Sequence, residues 1–270
     1  MNAHQREAAA TATLRECREA LAARGSTVIR EATGGGDADL LDWRHYPEGE
    51  VYDPATHAQY FYHRHPAATR PRPAERIEHG HFHLFLRGEA IPAGITPLLL
   101  PELAVANSAT GERTPRQSAP LKRGRSDEVC HLVAIAVDRR GEPVRLFTTN
   151  RWVTGETWYR ADDVVRMLGR FRLAGDAPAA LLNRWIGALV CLFQPEIAAL
   201  LRQRDKAVME RRWRWRSNVL EDERLEIASS VEIDLDARLA AIATAAAEPT
   251  IAKGARRRAR LPPMAEGWGA

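Results

Sequence analysis

The stretch Glu78-His79-Gly80-His81-Phe82-His83-Leu84-Phe85-Leu86 constrains the fold more than any other part of the chain. Its polar and apolar residues alternate with a period of two, which suits a β-strand and not a helix. A strand from Arg76 to Leu86 would turn His79, His81 and His83 to one face, each ~7 Å from the next. Gly80, Phe82, Leu84 and Leu86 would point the other way and pack inward.

A second segment repeats the pattern. In Gln59-Tyr60-Phe61-Tyr62-His63-Arg64-His65, the residues Gln59, Phe61, His63 and His65 share a face of a strand expected over Ala58 to Arg64. If the two strands pair, both His-x-His units converge on one pocket. The connection from Pro66 to Ala74 carries Pro66, Pro71 and Pro73, so it reads as a crossover and not as strand. Seven of the nine histidines fall between His45 and His83, and His131 opens a later strand.

Neutral imidazole is the commonest protein ligand for zinc, copper and iron. A strand-borne pair of histidines with a further ligand from a neighbouring strand leaves a coordination position open for water or substrate. The candidate metal ligands are therefore His63, His65, His79, His81, His83 and His131. Glu78, His81 and Tyr62 are the candidate catalytic residues, with Glu78 as acid, base or support for a ligand. Asp53 and Glu89 are further carboxylates in reach, and Tyr46, Tyr52 and Tyr60 stand in the same stretch as Tyr62. The ion expected is a divalent transition metal: iron, copper or zinc. A redox-active ion would make the protein an oxidoreductase and zinc a hydrolase, in either case on a small molecule.

The same residues, His79-Gly-His81-Phe-His83-Leu-Phe85, resemble the signature of the histidine-triad nucleotide hydrolases and transferases over about a dozen positions. That resemblance implies metal-free covalent catalysis, with His81 attacking phosphorus and His79 and His83 orienting it. Gly80 stands where that family carries a larger apolar residue, and Arg70-Pro71-Arg72-Pro73 stands in place of its upstream glycine-glutamine stretch. A third reading is a non-enzymatic haem- or metal-binding protein; the chain has no CxxCH for covalent haem attachment.

The rest of the chain supplies the frame. Strands are expected over Val129 to Asp138 and Pro143 to Thr149, joined by a hairpin at Arg139-Arg140-Gly141-Glu142. Helices are expected over Ala3 to Arg24, Asp162 to Phe171, Pro178 to Phe193, Pro195 to Arg216, and Asn218 to about Ala247. The result is an α+β fold, a central mostly antiparallel sheet (about residues 50–150) packed by an N-terminal helix and a C-terminal set of helices. One domain is expected over residues 1–250, divided into 1–32, 45–160 and 161–247. Thr33 to Asp37 and Asn107 to Asp127 read as loops. Between strand and helix, Asn150, Arg151 and Trp152 are candidate cofactor-binding residues.

Charge bears on partners. The formal net charge is +4, but Lys253, Arg256, Arg257, Arg258 and Arg260 lie in one segment, and the remainder comes to about −1. Residues 251–270 are thus expected to be a basic disordered tail, which argues against nucleic acid beyond weak contact through that tail. Cys17, Cys130 and Cys191 are scattered, odd in number and without CxxC spacing, as in a reducing cytoplasm. The most apolar stretch, Ala179 to Phe193, is shorter than the ~20 residues of a spanning helix, so no membrane partner is expected.

Overall fold

The computed structural model describes residues 2–35, 40–66, 77–100, 128–176, 179–215 and 218–247. The expected crossover after Pro66, the loop from Asn107 to Asp127 and the basic tail lie outside these residues. The chain divides into two units, Met1–Leu235 and Asp236–Ala270.

The first unit is built on a six-stranded sheet whose spatial order follows the sequence, every neighbouring pair antiparallel. The strands are β1 (Tyr46–Tyr52), β2 (Ala58–His63), β3 (Gly80–Arg87), β4 (Val129–Val137), β5 (Pro143–Thr149) and β6 (Ile227–Glu232). The helices are α1 (Ala3–Ala23), α2 (Val28–Thr33), α3 (Arg151–Thr154), α4 (Ala161–Met167), α5 (Ala180–Leu192) and α6 (Gln194–Trp215); α7 (Leu235–Ala247) begins where the first unit ends. The α+β class and the antiparallel centre read from the sequence are those of the structure.

Local chemistry sets the element boundaries. Asn2 and Gln5 form a reciprocal capping box at the start of α1, whose buried Ala10, Leu14, Cys17 and Leu21 recur every three or four residues. At the β4–β5 hairpin, Asp138 Oδ1 accepts the N–H groups of Arg140 and Glu142, and Gly141 adopts φ 83°.

One face of the sheet is apolar and helix-covered. Tyr60, Tyr62, Phe82, Leu84, Val133, Ile135 and Leu146 lie on it, all fully or almost fully buried. Helix α5 meets this face where Trp185 packs against Phe82 and where Asn183 accepts the Tyr60 hydroxyl at 2.7 Å. Helix α6 meets it through Ser229 Oγ, which donates to the Leu200 carbonyl at 2.8 Å and pairs with Thr148 at 2.7 Å. Helix α1 packs in turn on α5.

Two expectations are corrected. The single helix from Asn218 to Ala247 is instead a short 3-10 turn (Val219–Glu221), strand β6 and then α7. Strand β6 completes the β5 edge and carries one buried residue, Ser229, so it lacks the apolar alternation that marks a strand. The third strand begins at Gly80 and not at Arg76. Among the described residues no single helix is long and apolar enough to cross a membrane.

Candidate metal centre

Register gathers the histidines. Pairing of β2 with β3 sets His63 opposite His81 and Phe61 opposite His83. Pairing of β3 with β4 sets His81 opposite Ala136 and His83 opposite Ala134, so small residues flank both rings on that side. Phe147 of β5 lies opposite Ala134 and meets His81 edge-on at 5.0 Å between ring centres. This is the sheet face opposite the helices, and its central imidazoles are buried: His81 is 5% exposed and His83 2%.

His63, His81 and His83 each bring one ring nitrogen within 4.8 Å of the others, a grouping that could hold a metal ion. His63 Nε2 lies 2.6 Å from His81 Nε2 and 3.2 Å from His65 Nε2. His81 Nδ1 is hydrogen-bonded to Glu78 Oε1, and Arg145 donates to the other Glu78 oxygen at 2.5 Å. With Glu78 ionised, His81 carries its proton on Nδ1 and turns a bare Nε2 lone pair toward His63. His63 Nε2 is the common partner of the Nε2 atoms of His81 and His65, and a proton on it bridges to one of them at a time.

The electrostatics keep His63, His83 and His131 in the neutral form that ligates. Burial holds His63 and His83 far below the usual histidine range, and neighbouring imidazoles oppose a further positive charge. Burial also lowers His131, to about 3, with the Arg204 charge adding to the effect. Burial raises Glu78, but His81 and Arg145 outweigh it and hold the carboxyl at about 2. The centre therefore combines neutral imidazoles at His63, His83 and His131 with one ionised, twice-bonded carboxylate at Glu78.

His131 joins the same face through a bulge. Leu84 pairs with Val133 and Phe85 with His131, which leaves Leu132 without a partner in the ladder. The His131 ring then lies beside His83, Nε2 to Nδ1 at 3.0 Å, with Thr149 Oγ1 3.5 Å from its other nitrogen. Glu156 is fully buried, and its Oε2 accepts the His131 N–H at 2.9 Å.

Other expected site residues have different positions. His79 precedes β3, and its Nδ1 shares a 2.6 Å hydrogen bond with the hydroxyl of Tyr62, a residue of the helix-covered face. The expected row of three therefore breaks at its first member, and with it the geometry that the histidine-triad resemblance implies. Asn150 caps α3 and donates to the Val219 carbonyl at 2.7 Å; Arg151 pairs with Glu221; Trp152 Nε1 donates to the Leu225 carbonyl at 2.9 Å. These three side chains tie the end of β5 to the segment leading into β6. Asp53 accepts four backbone N–H groups, from Ala55, Thr56, Ala174 and Gly175. Trp43 covers His65 at 4.2 Å, and His45 stacks on Phe61 at 3.7 Å.

Arg145 is the functional neighbour that sequence reading missed. Its strand register places it opposite Ala136, two residues from Phe147 and on the histidine side. An arginine alternating with apolar residues on an interior strand was the available signal.

A family model described as a domain of unknown function, DUF6969, matches residues 7–233, a span that contains the sheet and all the histidines of the centre. No curated protein and no solved structure matches the chain.

Proposed function

Because the chain belongs to the DUF6969 family, a domain of unknown function, its chemistry has to be read from its own side chains, and we propose that His63, His81 and His83 hold a divalent transition-metal ion in a metal-dependent enzyme acting on a small molecule. The observation that carries this reading is the grouping of His63, His81 and His83, one ring nitrogen of each within 4.8 Å of the others, with His81 bonded to a Glu78 that Arg145 also holds. A proton bridges such nitrogens pairwise, whereas a divalent cation accepts all their lone pairs at once. Nitrogens bound tetrahedrally at ~2.0–2.1 Å stand about 3.3 Å apart, so loading would widen the His63–His81 contact by less than ~1 Å.

An ion held by three imidazoles keeps a position for water or substrate, and it would act as a Lewis acid or a source of hydroxide there. Glu78 would orient His81 and raise its basicity. The carboxylate is already bonded on both oxygens, which favours this supporting task over direct proton transfer. Imidazole ligands suit zinc, copper and iron alike. Zinc would favour a hydrolase, and iron or copper an oxidoreductase.

The test is elemental analysis of protein purified without an affinity tag, alongside the His63→Ala, His81→Ala and His83→Ala variants. About one equivalent of a transition metal in the parent and a loss of at least tenfold in each folded variant is expected. Parent protein that neither carries nor takes up zinc, copper or iron on dialysis would overturn the proposal.

A further inference from the structure

Away from the histidines, a cavity of about 330 Å³ opens beside α1, α5 and the segment that follows α4. Leu168, Phe171 and Val190 supply apolar wall, and Arg6, Arg172 and Arg184 supply three guanidinium groups. Among the described residues no carboxylate lines it. Arg184 is paired with Glu16 at 2.5 Å. Arg172 makes one long contact from its Nε to the Gly169 carbonyl, at 3.4 Å. Arg6 and Arg172 take part in no ion pair among the described residues. The charge of the cavity is thus positive and incompletely balanced.

A second feature points to occupancy. Gly187 lies in the middle of α5, where glycine costs about 1 kcal/mol relative to alanine. Packing does not require it, since a Cβ built there meets nothing within 4 Å, and the same holds for Gly169. Both glycines line the cavity. Their missing side chains leave it open.

We propose that this cavity is a binding site for a small organic acid, a carboxylate or phosphate monoester on an apolar body. The guanidinium groups would take the anionic head, in the bidentate manner natural to arginine, and the apolar wall would take the body. A dry cavity of ~150 Å³ holds one benzene ring, so this one accommodates about two fused rings. The site is independent of the metal centre: none of its lining residues is a histidine.

Calorimetric titration of the full chain with 1-naphthoate and with 1-naphthyl phosphate tests this, with neutral 1-naphthalenemethanol as the control. Saturable one-to-one binding of at least one anion, at least tenfold tighter than the alcohol, is expected; the two anions tell a carboxylate site from a phosphate site. Arg6→Gln combined with Arg172→Gln should weaken that binding about tenfold while leaving metal content unchanged. Gly187→Leu should abolish it, with a melting temperature no lower than the parent's. Equal binding of the alcohol, no binding of either anion, or full affinity in the double arginine variant would each overturn the proposal. The arginine pair keeps the test decisive should Gly187→Leu fold poorly.

Discussion

A Cβ built on Gly80 would lie 2.4 Å from the hydroxyl oxygen of Tyr62 and 2.6 Å from the carbonyl oxygen of His63. The hydroxyl is held by His79 and the carbonyl belongs to the backbone of β2, so neither can withdraw cheaply. Gly80→Ala should therefore push β2 and β3 apart just where His63 faces His81. A loss of about 1–3 kcal/mol in unfolding free energy is expected, the usual cost of forcing a methyl group into a packed interior. Urea denaturation measures it, and an unchanged midpoint would contradict the close approach.

Glu78→Gln removes a charge that sits between His81 and Arg145. Glutamine offers one acceptor and two donors where two donors must be received, so the His81 ring loses its fixed tautomer. Metal affinity should fall 10–100-fold, the usual effect of losing an outer partner of a ligating histidine. Competition against a chromogenic chelator reads this directly, and parent-like affinity would show that the carboxylate does not steer the ring.

How much of this was legible beforehand differs from strand to strand. Strand β3 announces itself through apolar residues at every second position and β4 through a nearly continuous apolar run, while the facing of His63 and His81 follows once β2 is paired with β3. Strand β1 holds Pro47 and Gly49, and Glu50 takes φ 61°, so no run of alternating residues marks it. Strand β6 is an edge with exposed Ser230, Val231 and Glu232, and edge strands need little apolar pattern. The place of His79 depends on where the pleat begins, and that of Arg145 on a register between strands that sequence spacing does not encode.

Glu156 should give the protein a slope of stability with pH. Burial pushes its carboxyl up to about 7 against the opposing charge of Arg204, whereas in the unfolded chain it ionises near ~4.3. The folded state thus holds the proton more tightly, and the contribution of Glu156 declines as pH rises from ~4.3 to about 7, then levels off. Glu156→Gln keeps an acceptor for the His131 N–H and lacks this slope. Relative to the parent it should gain about 3 kcal/mol between pH 4 and pH 8; a difference that stays flat across the range would reject the assignment.

Asp53 works in the opposite direction. Burial raises its pKa, but four backbone N–H groups outweigh burial and hold it below the usual aspartate range. Its stabilisation is complete above the unfolded value of ~3.9 and is lost as pH falls through the lower folded value. Asp53→Asn places an amide donor against the N–H groups of Ala174 and Gly175. The variant should lose about 1–3 kcal/mol at neutral pH and a part of the parent's acid sensitivity. Thermal melts at pH 7 and pH 3 that shift the two proteins equally would count against it.

The unpaired Leu132 has a consequence for the count of residues along β4. Counted by twos from Ala134, His131 belongs with the helix-facing set, and the surplus residue reverses that parity. A chain lacking Leu132 would run as an uninterrupted pleat with His131 still opposite Phe85, at the cost of one fully buried leucine. In this chain the spacing of three from His131 to Ala134 puts both on the histidine side only because the ladder is irregular between them, so parity, more than residue identity, decides which face a ring takes.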